Sequence, residues 1–572
     1  MQQVKSRHVT GKTFVILAAV ALVVSAVSVS MVAASPLTHH SATSGPKLSA
    51  KSIAGHQVIG QTLNVFNLPK ETASQASAHR SMPLLSGSKL IPAKAAAAHN
   101  THAPKASGLA QTSDSKSSVI GFQGMQDSAT ICPYFGGCQP PDMALASGPS
   151  FVLQAVNTSI EIYNTKGVPV VGPVNSQVFF GIPNPTPAGC DPAGPFTSDP
   201  RAFYDMNTGL FWVAFLQVEG APGFGIAPNC DFVTKYWIAN LSMKTGIEHV
   251  YSFDMSLGTT NAADYTQFGF NKDVIAFSGN MFDSIAGTYS YAESGFANKA
   301  AMQNGLPVTA NFVADYTVGG VVLDTVQPVE TITTPVLDPG VEYLVSSFNI
   351  FGDPFGDDCF FTACHGFSIW AYNPATNTIS GVFADSNPYV TPPNADQPGC
   401  SQCVETIDTR ITGTPVYSVG SGNGLISFSL DTAIQNGAAS TVPGIFWGQL
   451  QPALTGGSVF AAGIYQSSYL AFAGDQAASF GAMMQDKNGR LVMVFDTMSA
   501  SLNPSIMYTG RAKGDPLGSL RSPHFLIKGT VTTFDSRWGD FEAASYDGFS
   551  TNHIWVASQY SIGDWATFIA RV

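Results

Sequence analysis

Beyond residue 118 the chain is written as short alternations of apolar and polar residues, rich in β-branched and aromatic side chains and separated by turn sequences such as "NTKG", "MNTG" and "DKNG". Alternation of period two bounded by Asn-, Asp- and Gly-containing turns predicts strands joined as hairpins. The layout also recurs. "DPRAFYDMNTGLFWVAFLQV" opens at Asp199, and "DFEAASYDGFSTNHIWVASQY" opens at Asp540. Similar stretches open at Asp142, Asp264, Asp408 and Asp475, giving intervals of 57, 65, 144, 67 and 65 residues. The long interval is twice 72 and holds a degenerate copy, "VETITTPVLDPGVEYLVSSFN".

Seven units of strand meander at one period predict a seven-bladed β-propeller, in which each blade buries its faces against its neighbours. The opening Asp is expected to begin the innermost strand, and the following Trp-Val-Ala run to be the next strand outward. Because "IWVASQYSIGDWATFIARV" ends the sequence, its strands are expected to close the ring by pairing with a strand from residues 118–131, which removes exposed sheet edges. A two-domain β-sandwich is the competing fold, but it would not need one period throughout. Short helical insertions are expected at "FANKAAMQNG" and "LDTAIQNGAAS".

Composition changes the picture at the N-terminus. Residues 1–118 carry 11 Lys/Arg against 2 Asp/Glu, leaving 15 against 36 in the rest, so a basic leader precedes an acidic body. The first 34 residues place Lys5, Arg7 and Lys12 before an apolar run ending in small residues, the pattern of a secretory signal or of an uncleaved N-terminal anchor. Residues 35–117 are rich in Ala, Ser, Thr, Lys and His and read as a disordered low-complexity basic linker, leaving 118–572 as the propeller. His39, His40, His56, His79, His99 and His102 fall in that linker and read as solvated. The acidic body excludes nucleic acid as a partner, and contact with a membrane is expected only through the N-terminal segment. Charged residues make up 11% of the chain against roughly 25% in ordinary soluble domains, which suits a secreted or cell-surface protein and tolerance of acid.

All eight cysteines lie beyond the linker, and an even number in an exported chain predicts disulfides. Near neighbours suggest Cys132 with Cys138, Cys190 with Cys230, Cys359 with Cys364 and Cys400 with Cys403. "CSQC" and "CFFTACH" also echo a zinc half-site and a haem-attachment sequence, but neither has the remaining parts of such a motif.

The runs "PPDMALASGPSFVLQAVNTSIEIYNTKG", "SDPRAFYD", "SRWGDFEAASYDG" and "WATFIARV" resemble a group of secreted microbial propeller proteins distantly similar to the sialidase superfamily. The resemblance covers roughly residues 120–572 and implies the fold. The Ser-x-Asp-x-Gly-x-Thr-Trp box of sialidase blades is missing, so sialidase catalysis is not carried over.

The recurring acids, gathered by a ring at one channel mouth, suggest a ligand site of Asp199, Asp264, Asp408, Asp475 and Asp540 with Arg201, Arg410 and Arg537. Guanidinium groups there would take a carboxylate-bearing ligand. The competing reading ties neighbouring blades together with the same Asp–Arg pairs. "FGDPFGDDCF" puts Asp353, Asp357 and Asp358 in one loop, an oxygen-rich setting that suits calcium. Glu330, Glu405 and Glu542 are candidates for paired-carboxylate hydrolysis. No G-x-S-x-G or HExxH sequence is present, and His249, His365, His524 and His553 read as structural or surface residues. Asn157 and Asn240 lie in N-x-S/T sequons. These features point to an extracellular module that binds a glycan, a protein or a small acidic ligand. The alternatives are a glycoside hydrolase or lyase using carboxylates at the channel mouth, and a structural component of the cell envelope.

Overall fold

A computed structural model describes residues 45–69, 80–81, 94–106, 108–112, 119–128, 131, 138–420, 422, 424–437, 440–534 and 537–572. The signal or anchor expected over residues 1–34 and the Cys132–Cys138 pairing lie outside the described residues. No helix among the described residues is long and apolar enough to cross a membrane. Pro46–Val572 forms one compact unit.

The fold is all-β with a β-propeller arrangement. Its first blade comprises Ala144–Ser147, Phe151–Val156, Ser159–Asn164 and Pro169–Asn175. The second runs from Phe196–Asp205 to Ile247–Asp254, with Gln61–Asn64 added outside. Two further blades have innermost strands Gln327–Pro328 and Ala477–Gln485. In the last blade Ala543–Tyr546, Ile554–Ser561 and Trp565–Arg571 are completed by Ile120–Gln126, which pairs antiparallel with the C-terminal strand. The chain therefore joins its two ends within one sheet, as the terminal strand pattern implies.

Among the described residues, five sheets stand as separate blades rather than seven. The meanders over 261–318 and 416–470 belong instead to one eleven-stranded sheet. The reason is local: Glu330–Thr331 pairs in parallel with Phe270 on one side and with Val416 and Tyr417 on the other, so ladder hydrogen bonds run across what would be a blade boundary.

Consecutive meanders are held face to face by aromatic pairs. Phe203 stacks on Phe270 at 4.0 Å, Phe296 on Tyr372 at 3.9 Å, and Phe367 lies 4.4 Å from Phe428 between ring centroids. Such contacts add to the area they bury and fix the lateral register of one sheet on the next. Trp212, Trp370, Trp447, Trp555 and Trp565 are fully buried between the layers.

The linker expectation needs correction. Leu48–Ile53 pairs antiparallel with Asn311–Val318, and Gln61–Asn64 with Ile247–Val250, so part of 35–117 is built into the outer rim. A covering strand needs a free ladder more than it needs large apolar side chains, which is why composition concealed it. Gly55 allows the close approach, since a Cβ there would stand 1.7 Å from the carbonyl oxygen of Ala310. The insertion expected at "FANKAAMQNG" is the helix Lys299–Gln303, begun by Asn298, whose side chain accepts from the Ala301 N–H. The one expected at "LDTAIQNGAAS" is not helical: Asp431–Ile434 continues strand Leu425–Ile434. A second short helix, Ser176–Phe180, lies where none was expected.

Trp565 is the largest side chain of the C-terminal closing strand and is fully buried. Trp565→Ala is expected to destabilise the chain by about 3–5 kcal/mol, read as a lowered denaturation midpoint.

Candidate functional site

What repeats at the hub is a backbone shape. Asp142, Asp199, Tyr265, Thr325, Ile407 and Phe480 all have φ between 43° and 57°, at the head of one meander after another. In three of these heads the innermost strand breaks register, between Ser198 and Arg201, between Asp264 and Gln267, and between Ser479 and Ala482. These bulges turn the chain at the hub, and each leaves a backbone N–H with no ladder partner. A side chain from another meander accepts it. Asn157 takes the N–H of Asp199 at 2.9 Å, Asp199 that of Thr266 at 3.0 Å, and Asn280 that of Thr325 at 2.6 Å. Asp431 takes that of Phe480 at 2.9 Å, and Asp142 that of Asp540 at 2.8 Å.

Measured against this corner, the recurring acids of the sequence stand in different places. Asp199 occupies it, Asp264 precedes it by one residue and Asp408 follows it by one. Asp475 is exposed on a turn, where it accepts from the Ala500 N–H, and does not join the others. Asp142, Asp199, Asp264, Arg537 and Asp540 line one narrow void of about 20 Å³, room for one or two waters.

The guanidinium groups are occupied. Arg410 makes a forked contact with Asp408, Nε to Oδ1 at 2.9 Å and Nη2 to Oδ2 at 2.7 Å, with both residues buried. Arg537 reaches Glu405 at 3.1 Å and also pairs with Asp540. Arg201 lies 3.3 Å above the Phe541 ring, and Arg410 lies 4.3 Å above Tyr265. The Asp408–Arg410 and Arg537–Asp540 pairs each lie within one segment, while Arg537 on Glu405 and the cation–π contacts of Arg201 on Phe541 and Arg410 on Tyr265 run between meanders.

A further cation comes from the N-terminal segment. Lys94 is buried, and its ammonium donates to Thr406 Oγ1 at 2.8 Å. Burial pushes this amine down to about 8, against the pull of Glu405, Asp408 and Asp431. Residues 97–106 and 108–110 then run along the sheets, with Thr441 N donating to Ala98 O and Ala110 N to Ala471 O. Nothing in the alanine-rich composition around Lys94 marks it as a hub residue; an isolated lysine in an apolar run was the available signal.

A second void of about 20 Å³ is lined by Arg201, Glu330 and Glu542 among small residues such as Ala144, Ala202 and Ala544. The structure thus brings together two of the three glutamates picked from the sequence, and holds Glu405 apart on Arg537. Both carboxylate oxygens of Glu542 lack a hydrogen-bond partner of normal geometry, and so does Nη2 of Arg201. Burial raises Glu330 to about 8 and holds Glu542 well above the usual carboxylate range, with Asp496 adding to the latter. Burial likewise raises Asp199 to about 6, Asp324 to about 6 and Asp496 to about 7. Asp408 is the exception: burial opposes its ionisation, but the charge and hydrogen bonds of Arg410 outweigh that and lower it.

The calcium loop is only partly as expected. Asp353 and Asp357 face each other with His365, while Asp358 points away and caps the backbone N–H groups of Phe360, Phe361 and Thr362. Cys190–Cys230, Cys359–Cys364 and Cys400–Cys403 are disulfides, which removes the zinc and haem readings of those cysteines. The two sequons are not surface points: Asn157 and Asn240 are buried, with their amides on Asp142 and on the Met302 carbonyl.

A cleft of about 390 Å³ lies away from the hub. Gln111 and its neighbours form one wall, Ser468 and Tyr469 a second, and Ser519, Arg521 and Ser522 a third. Arg521 is two-thirds exposed and held by Asp515 through two contacts, at 2.7 and 3.0 Å. Nothing in the sequence marks this cleft, because its three walls are far apart in the chain.

No protein-family model matches the chain, and no curated protein does. Among solved structures it is similar to a protein of unknown function from Dyadobacter fermentans, at 11% identity and a TM-score of 0.27, over 65% of this chain and 94% of that one. It is also similar to a Hadza microbial sialidase, at 12% identity and 0.32 over 63% of each chain. A Trypanosoma rangeli sialidase is similar at 9% and 0.31, over 65% of this chain and 54% of that one. Likenesses this loose assign no activity.

Two outcomes test the hub. Arg410→Ala leaves Asp408 buried without its partner and is expected to cost about 3–5 kcal/mol in denaturation experiments. The raised carboxyls bind their protons more tightly in the folded chain. Their stabilisation is therefore full below the unfolded values of 3.8 to 4.5 and is lost as pH rises through about 6 to 8. The melting temperature is accordingly expected to rise on acidification from pH 8 to about 5, with a shallower slope in Glu330→Gln.

Proposed function

We propose that this chain is an exported binding module built on a closed ring of seven units, the eleven-stranded sheet contributing two of them, and that it recognises a hydroxyl-rich ligand such as a glycan in the cleft beside Arg521. The observation that carries this reading is the division of chemistry between hub and edge. At the hub, charged groups are buried, most of them engaged with one another, and the voids between them have room only for water. At the edge, a cleft of about 390 Å³ falls within the ~300–1,000 Å³ of small-ligand sites. Its serine hydroxyls, the Tyr469 ring and the donors that Arg521 keeps beyond its two contacts with Asp515 offer hydrogen bonds and one apolar surface. Export is supported by the three disulfides and by the signal-like start.

A hydrolase is the second reading, favoured by Glu542 and Glu330 facing one void with raised pKa values. The size of that void weighs against it, since about 20 Å³ admits a water and excludes a sugar ring.

A glycan array followed by calorimetry on the full chain separates the two. Saturable binding that Arg521→Ala weakens at least tenfold, with an unchanged melting temperature, supports the cleft. Turnover of chromogenic glycosides that Glu542→Gln abolishes would establish the hydrolase instead.

A further inference from the structure

The loop between strands Glu342–Ser347 and Phe367–Asn373 carries chemistry that the hub does not use. Asp353, Asp357 and His365 each offer one ligand atom, and the three lie within 4.8 Å of one another. His365 Nε2 stands 3.8 Å from Asp353 Oδ2. Two ligand atoms each about 2.1 Å from a tetrahedral ion would stand about 3.4 Å apart, so the His365–Asp353 pair needs to close by about 0.4 Å and no pair of the three by more than about 1.4 Å.

The imidazole is aimed from behind. His365 Nδ1 lies 2.8 Å from Asp385 Oδ1, and that carboxylate is itself held by the Ser386 N–H. A carboxylate on one ring nitrogen orients the ring and makes the other nitrogen the better ligand. The Phe355 ring stacks on His365 at 4.6 Å, which limits its rotation. Asp353 is buried and fixed by the N–H groups of Phe355 and Asp357. Cys359–Cys364 closes the loop in front of His365, and Asp358 is turned away by the three N–H groups it caps. His365 and Asp357 are half-buried, so the remaining coordination positions open to water.

We infer that Asp353, Asp357 and His365 form a divalent transition-metal site that prefers Zn²⁺ and keeps open positions, with Asp385 as the positioning residue of the imidazole. One nitrogen and two carboxylate ligands suit zinc, whereas calcium takes six to eight oxygen ligands and gains nothing from an imidazole. The site is independent of the cleft and of the reading based on it.

The test is calorimetric titration of the full chain, stripped with chelator, with ZnCl₂ and separately with CaCl₂. One Zn²⁺ is expected to bind in a class at least tenfold tighter than Ca²⁺. That class is expected to vanish in His365→Ala and to weaken about 10–100-fold in Asp385→Asn. Asp385 is 70% exposed, so its substitution leaves the fold intact. Equal or tighter binding of Ca²⁺ would overturn the assignment. So would Zn²⁺ binding that both variants retain, because the ion would then sit on other histidines of the chain.

Discussion

The structure depends on satisfying one kind of backbone N–H. Where an innermost strand turns at the hub through a left-handed corner, in three heads with a break in its own ladder, it buries a donor that its own sheet does not satisfy. A buried donor left unpaired costs about 1–3 kcal/mol, and a ring of meanders would accumulate that cost at every head. Asn157, Asp199, Asn280, Asp431 and Asp142 remove it, each reaching from one meander to the next. The same bond that satisfies the corner therefore also sets the angle between neighbours, so local strain and ring geometry have a single solution.

That solution draws acidic groups into the centre, and the rest of the hub answers their charge. Arg410 on Asp408, Arg537 between Glu405 and Asp540, and Lys94 beside Thr406 supply the opposite sign. Among the described residues Glu330 and Glu542 have no ion-pair partner, and burial raises both carboxyls above the usual range. Lys94 also anchors the described residues around it, since its ammonium and the backbone bonds of Ala98 and Ala110 fasten them to the ring. In the proposed reading a centre so occupied serves architecture, and recognition falls to surfaces where side chains are not already committed to one another.

The periodicity of the strands and the Cys359–Cys364 and Cys400–Cys403 pairs were legible because each rests on local pattern or short separation, while the closing pair of terminal strands followed from the need of a ring to leave no sheet edge open. The recurring aspartate was legible only in part. Asp199, Asp264, Asp408 and Asp540 do reach the hub, but they take different positions around the corner, and Asp475 remains outside on a turn. What is common to the heads is a φ angle that Asp, Tyr, Thr, Ile and Phe all adopt, so residue identity could not mark it.

By itself the sequence determined that strands of one period would stack and close, because alternation and turn chemistry act over a few residues. Only the tertiary structure decided that Glu330–Thr331 would fuse two meanders into one sheet, that Leu48–Ile53 would cover an edge, and that His365 would replace Asp358 beside Asp353. Those outcomes turn on which free ladder, charge or ligand atom lies nearest in space, and distance along the chain carries no information about that.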